Sequence, residues 1–232
     1  MTRYQFTKLV LTVAIKIIAR IEIKGLENIP RHIPFILAVN HLSLLEPPVL
    51  FVILPVKKIT VLVGEKWAKH RLFNWILGSV NAIFVDRQAL FDRRAVKAVL
   101  EALKSGLIVG MAPEGMRSRV GGMIRAKPGI AYLAYKADVP VLPIGISGQK
   151  DCLQTLKRLK QLRLRVHIGE LIDPPSINEA SKGEQFQQYA DEIMVAIARL
   201  IDPDIRGVYA SFVNNSNANC SNFETDEVSY IS

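Results

Sequence analysis

Seven short strand-like runs, rich in apolar residues, punctuate this chain, at residues 19–24, 35–39, 59–63, 81–85, 107–111, 139–146 and 162–168. Each has the length of a strand, and between them lie segments whose apolar residues recur at three- and four-residue spacing. That alternation demands an α/β protein, because a sheet covered on both faces takes near-continuous apolar strands and joins them through helices. Helices are clearest at 89–104, 128–136 and 184–201. In the last of these, Phe186, Tyr189, Ile193, Ile197 and Leu200 share one face, which assigns it to packing on the sheet. The expected fold is a single-domain α/β sandwich with a mixed central sheet of about seven strands, preceded by an N-terminal amphipathic helix. With 232 residues, half of them apolar, the chain can bury a full core without disulfides. Its two cysteines, Cys152 and Cys220, fit a reducing compartment. The sequence shows no internal repeat and no cluster with metal-ligand spacing.

Three of the expected strands end in polar groups. After the run 35–39 comes Asn40-His41-Leu42-Ser43-Leu44-Leu45-Glu46-Pro47, which sets a base and an acid five residues apart where strand gives way to helix. Proton transfer from a hydroxyl needs a neutral imidazole and a partner that fixes its tautomer and stabilises the imidazolium. His41 and Glu46 have that character. Ser43 and Glu46 also fit a capping box at the start of a helix running to about residue 54, and the two readings are compatible. None of His32, His70 and His167 has an acid five positions on.

The run 81–85 delivers Asp86 and Arg87, and the run 107–111 leads into Ala112-Pro113-Glu114-Gly115-Met116-Arg117-Ser118-Arg119. The second segment gathers a carboxylate, a glycine that lets backbone come close to a ligand, and two arginines whose planar forks suit a phosphate. Open α/β sheets hold ligands at the carboxyl edge of their strands, so the three strand ends are expected to share one crevice. Arg87 pairing with Asp86 or with a helix carboxylate, and Glu114 as a turn residue, are the plainer alternatives.

The segments NHLSLLEP, FVDR, APEGMRSR and VPVLPIGI together resemble the four ordered blocks of the glycerolipid acyltransferases of the 1-acylglycerol-3-phosphate acyltransferase type. The likeness runs over about residues 20 to 208, including IEIKGLENIP before the first block and DIRGVY at the end. It implies His41 as general base on an acceptor hydroxyl and Glu46 as the acid that orients it. It further implies Arg87, Glu114, Gly115 and Arg117 around the acceptor phosphate and glycerol, with residues 140–143 shaping the wall. The reaction implied moves a fatty acyl group from acyl-CoA or acyl-ACP, as co-substrate, to the sn-2 hydroxyl of 1-acylglycerol-3-phosphate; no metal and no further cofactor is implied. Three positions depart from the family's pattern: Glu46 stands for an aspartate, Ala112 for a phenylalanine and Met116 for a threonine. The alternatives kept open are another lysolipid or glycerol-3-phosphate as acceptor, or a non-catalytic lipid-binding relative.

Residues 4–18 place Gln5, Lys8, Thr12 and Lys16 on one narrow helical face, with Leu9, Val10, Val13 and Ile17 among the apolar rest. Lys8 and Lys16 interrupt any run approaching the roughly 20 apolar residues needed to span a bilayer. The expectation is a membrane-interface helix, making the protein peripheral or monotopic on the cytoplasmic face; a core helix packed on the sheet is the alternative. A formal net charge of +9 suits an anionic membrane surface. Nucleic acid is not an expected partner, because the dense basic stretch 150–165 has no aromatic residues interleaved with its charges. That stretch suits lipid headgroups or the phosphates of CoA, and equally a solvated surface. The expected organisation is thus residues 1–18 as the interface helix, 19–209 as the acyltransferase domain, and 210–232, rich in Asn and Ser, as a flexible polar tail.

Overall fold

The computed structural model describes residues 2–55, 58–86, 92–150 and 152–214. Every expected run holds a strand: β1 (Ala19–Lys24), β2 (Ile36–Val39), β3 (Ile59–Gly64), β4 (Ile83–Val85), β5 (Ile108–Met111), β6 (Val141–Ser147) and β7 (Leu162–Ile168). They form one sheet in the order β1-β7-β6-β2-β5-β3-β4. From β6 to β4 neighbouring strands are parallel, whereas β7 runs antiparallel to β6 and parallel to β1, so the sheet is mixed.

The helices are α1 (Arg3–Ile18), α2 (Glu46–Ile53), α3 (Arg71–Leu77), α4 (Arg93–Lys104), α5 (Gly129–Ala137), α6 (Cys152–Lys157), α7 (Lys182–Leu200) and α8 (Ala210–Asn214). Helix α8 lies at the start of the segment 210–232 expected as a flexible tail, and its Phe212 and Val213 pack on the core; α3 and α6 are not among the helices the sequence marks. Both are too short to show a clear periodicity. The expected helix 89–104 begins at Arg93, where the Asp92 carboxylate caps it by accepting the N–H of Arg94 at 3.0 Å and of Ala95 at 3.1 Å. The other oxygen of Asp92 accepts the N–H of Asp86 at 3.0 Å, which ties the end of β4 to the start of α4.

Central β2 shows why its residues are all apolar. Its side chains alternate between faces, Ile36 and Ala38 joining one buried cluster and Leu37 and Val39 the other. The first cluster takes Val99 of α4, Ile130 of α5 and Ile193 and Ile197 of α7. The second takes Ile15 of α1 and Val49 and Leu50 of α2. Because β2, β5 and β4 all run the same way, the polar segments that follow them emerge at one edge of the sheet.

Helix α1 is turned in an unusual sense. Thr7 and Ile15 are buried and Leu11 and Thr12 half-buried, while Phe6, Leu9, Val10, Val13 and Ile17 point outward. Of the narrow polar stripe, Lys8 and Thr12 face inward. The hydroxyls of Thr7 and Thr12 satisfy themselves on Arg3 O at 2.9 Å and Lys8 O at 2.6 Å, and the Lys8 ammonium reaches Leu54 O at 3.1 Å. Desolvation in this position lowers the Lys8 pKa. Edge-to-face contacts of Tyr4 with Phe51 and of Phe6 with Trp75, at centroid distances of 5.1 and 5.9 Å, fix the helix against α2 and α3.

Candidate active site

The loop after β2 is clamped from three sides. Asn40 is fully buried, and its side chain extends the ladder to β6 by donating to Ile146 O at 3.0 Å and accepting from Ile146 N–H at 2.8 Å. The N–H of His41 donates to Glu114 Oε1 at 2.8 Å, and its carbonyl accepts from Ser118 N–H at 2.9 Å. The imidazole thus stands on a fixed backbone. Its Nδ1 lies 3.3 Å from Oε2 of Glu46, a carboxylate with no exposed surface. An acceptor at that place selects the tautomer with hydrogen on Nδ1 and leaves Nε2 with a free lone pair.

Glu46 does more than face the ring. Its Oε1 accepts the N–H groups of Leu42 at 3.2 Å and Ser43 at 2.8 Å. Half of the expected capping box therefore forms. Ser43 Oγ accepts instead from Leu45 N–H at 3.0 Å, and α2 starts at Glu46, two residues later than a Ser43 cap would set it. Pro47 and Pro48 explain the delay, since proline lacks an N–H and suits a first helical turn.

Glu114 lies beneath the His41 loop, buried, and does not line the cavity described below. One oxygen holds His41 N–H and the other holds Ile124 N–H at 3.0 Å, so the side chain braces two segments 83 residues apart in sequence, the difference of 124 and 41. Burial pushes its carboxyl up to about 7, with the charge of Glu46 adding to the rise and the two N–H donors opposing it. Gly115 has φ 72, and a Cβ there would come within 2.9 Å of Lys127 Cδ. Glycine at this turn lets the Lys127 stem lie across the backbone. Arg117 and Lys127 are exposed, and Arg117 directly precedes the Ser118 amide that binds His41 O. Arg87 lies outside the described residues. Residues 140–143 do not line the cavity described next.

That cavity has a volume of about 800 Å³ and a mostly apolar wall. His41 and Glu46 lie on it together with Gly115 and Lys127, and it runs under β3 past Val61 and Val63 to Leu133 and Phe186. Its presence accounts for a feature of β3, whose Val61, Leu62 and Val63 are only half-buried although the strand is flanked on both sides. Among the described residues no group of His, Cys, Asp and Glu is arranged to hold a metal ion, and no helix is long and apolar enough to cross a membrane.

Residues 20–147, the stretch containing this loop, the bracing glutamate and most of the cavity wall, match the Acyltransferase family. The chain belongs to that family. Its fold is similar to the crystal structure of the 1-acyl-sn-glycerophosphate (LPA) acyltransferase, PlsC, from Thermotoga maritima, with 26% identity and a TM-score of 0.65 over 82% of this chain and 76% of that one. Among curated proteins it is 29% identical over 197 residues to 1-acyl-sn-glycerol-3-phosphate acyltransferase alpha of Bos taurus, covering 81% of this chain. It is 26% identical over 178 residues to 1-acyl-sn-glycerol-3-phosphate acyltransferase of Borreliella burgdorferi, covering 75% of this chain and 70% of that one. The chain spans 66%, just under two thirds, of the length of the Bos taurus relative.

Several residues that build this site are not marked by the sequence. Asn40 was visible only as a polar residue ending an apolar run. Tyr209 and Asp191 form a buried pair in which the phenol donates to Asp191 Oδ1 at 2.7 Å and accepts from Ala126 N–H at 2.8 Å. Gln187 joins it, donating to Asp191 Oδ2 at 3.1 Å and to Ala126 O at 3.0 Å, and Arg125 lies 3.6 Å from that carboxylate. The pair anchors the strand of loop that carries Ile124 and Lys127. An Asp interrupting the apolar face of α7 was the available signal.

Proposed function

We propose that this protein transfers a fatty acyl group from a thioester, acyl-CoA or acyl-ACP, to the sn-2 hydroxyl of 1-acylglycerol-3-phosphate, yielding phosphatidic acid. The observation that carries the reading is the His41–Glu46 pair, 3.3 Å apart, at the wall of an apolar cavity of about 800 Å³. Nε2 of His41 takes the proton of the acceptor hydroxyl as its oxygen attacks the thioester carbonyl. Glu46 holds the ring in the required tautomer and stabilises the imidazolium. When the tetrahedral adduct collapses, the C–S bond breaks, the thiolate leaves, and the imidazolium supplies a proton to it. The acyl chain occupies the apolar cavity, where each buried methylene contributes about 0.8 kcal/mol. Arg117 and Lys127, with Arg87, supply positive charge for the acceptor phosphate. Engagement of Glu46 with both the ring and the loop favours a working pair over a non-catalytic relative.

The outward apolar face of α1 supports a membrane-interface role for that helix, where acceptor and acyl chain both reside. The similar proteins, named for 1-acyl-sn-glycerol-3-phosphate, supply the acceptor class. Thiol release from palmitoyl-CoA by the purified protein, with and without lysophosphatidic acid, tests the reading against His41→Ala. Acceptor-dependent release that vanishes in the variant is expected. Absence of release with either donor type, and with other lysolipid acceptors, would overturn it.

A further inference from the structure

Helix α6 leads into β7 through a turn that carries an anomaly. Leu159 N–H bonds Leu156 O at 2.9 Å and Lys160 N–H bonds Thr155 O at 3.2 Å, the bond pair of a Schellman ending. Leu159 occupies the left-handed position of that motif, with φ 54. Glycine is favoured there because a Cβ crowds the backbone. The leucine recovers nothing by packing, since it is 95% exposed, and Leu153 on the preceding helix is 73% exposed. An exposed apolar side chain held in an unfavourable backbone conformation calls for a use outside the fold.

Its surroundings define that use. Lys157, Arg158 and Lys160 flank Leu159 and are all exposed, whereas Lys150 and Arg165 are paired with Asp204 and Asp202. Gln161 fastens the turn to the last turn of α1, its Nε2 donating to Lys16 O at 3.4 Å and Ile17 O at 3.0 Å while Oε1 accepts from Arg20 Nε at 3.0 Å. Ile17, 65% exposed, ends the outward apolar face of α1 at this point.

We infer that the α6–β7 turn is a second membrane-docking point, with Leu159 and Leu153 entering the interface of a bilayer whose anionic headgroups meet Lys157, Arg158 and Lys160. The inference rests on the interfacial reading of α1 proposed above and extends it. A protruding apolar tip ringed by cations matches an anionic layer lying over an apolar one, whereas a protein partner would need a hole shaped to receive it. A protein resting on the membrane through one helix is free to roll as a body about that helix's axis. A second contact at its end removes that freedom and sets how the protein faces the membrane.

Leu159→Gly tests this directly, because glycine suits the φ of the turn and removes the side chain. Binding is measured by co-sedimentation with phosphatidylcholine vesicles with and without phosphatidylglycerol. The expected result is wild-type binding that requires phosphatidylglycerol, about tenfold weaker binding by Leu159→Gly, a Tm unchanged or raised, and unchanged thiol release in detergent micelles. Leu153→Ser should weaken binding in the same sense. Equal binding by wild type and Leu159→Gly overturns the inference alone if Val10→Asp on α1 abolishes binding. No vesicle binding by wild type overturns the interfacial reading of α1 as well. A lower Tm for Leu159→Gly assigns the residue to packing, and a wild-type dimer that Leu159→Gly converts to monomer assigns the surface to a second copy; either result overturns the inference.

Discussion

Glu46 Oε2 stands 3.3 Å from Nδ1 of His41 while Oε1 of the same carboxylate takes the N–H groups of Leu42 and Ser43. One side chain therefore sets the imidazole and the backbone that carries it. The reach of glutamate makes both bonds possible from the first residue of α2.

Glu46→Asp should consequently lower kcat, by about a hundredfold, since an ångström of misplacement costs on that order. Glu46→Gln should lose at least as much, because an amide cannot accept from the ring and both backbone groups and carries no charge for the imidazolium. Steady-state kinetics of thiol release decide the matter. A faster aspartate variant would show the native carboxylate to be poorly placed.

Glu114→Gln leaves one of two backbone N–H donors facing an NH₂ group, and unsatisfied buried donors cost about 1–3 kcal/mol. The substitution also removes a titration. The folded-state carboxyl is raised from 4.5 to about 7, so between those values the native state holds a proton that the unfolded chain has released. Unfolding then releases protons, and the stability contributed by this group falls as pH rises through that window, its loss complete above about 7. Melting curves across the window should show the wild-type advantage over Glu114→Gln shrinking as pH rises. A difference independent of pH would contradict this account.

Tyr209→Phe removes the hydroxyl that joins Ala126 N–H to Asp191. Burial and the neighbouring Asp191 raise the phenol's pKa, so it remains a donor. A loss of about 1–3 kcal/mol is expected, with Tm falling by about 2 to 4 °C per kcal/mol. An unchanged Tm would show that the loop is held by its other bonds.

Val61→Phe projects a ring into the cavity beside β3. The acyl preference should shift to shorter donors, each methylene denied to the cavity removing about 0.8 kcal/mol of binding. Comparing kcat/KM for decanoyl-CoA and palmitoyl-CoA reads the shift. An unchanged ratio would place the acyl chain elsewhere.

Arg117→Ala should raise KM for lysophosphatidic acid by about 10- to 100-fold, the range of a charge-assisted hydrogen bond of about 1.5–3 kcal/mol, with little change in KM for the thioester. Equal effects on both substrates would argue against a role at the acceptor phosphate.

The seven strands were legible in the chain because strands buried on both faces, as β2 and β6 are, must be apolar runs, while β1 and β7 alternate apolar with polar residues, and their bounds moved only by a residue or two. His41 with Glu46 was legible for the same local reason, as five residues separate them and a turn brings them together. Glu114 was visible as a carboxylate near a glycine, which suggested a pocket wall. Its partners, His41 and Ile124, meet only because β2 and β5 pair in parallel. Asn40 finds Ile146 across 106 positions through the pairing of β2 with β6. The polar stripe of α1 showed an amphipathic helix but not which face turns inward, since periodicity carries no direction. Spacing along a chain fixes which residues share a strand or a helical face, because backbone geometry is local. Which groups then touch, what they leave exposed and where a cavity opens depend on the order in which distant strands pair.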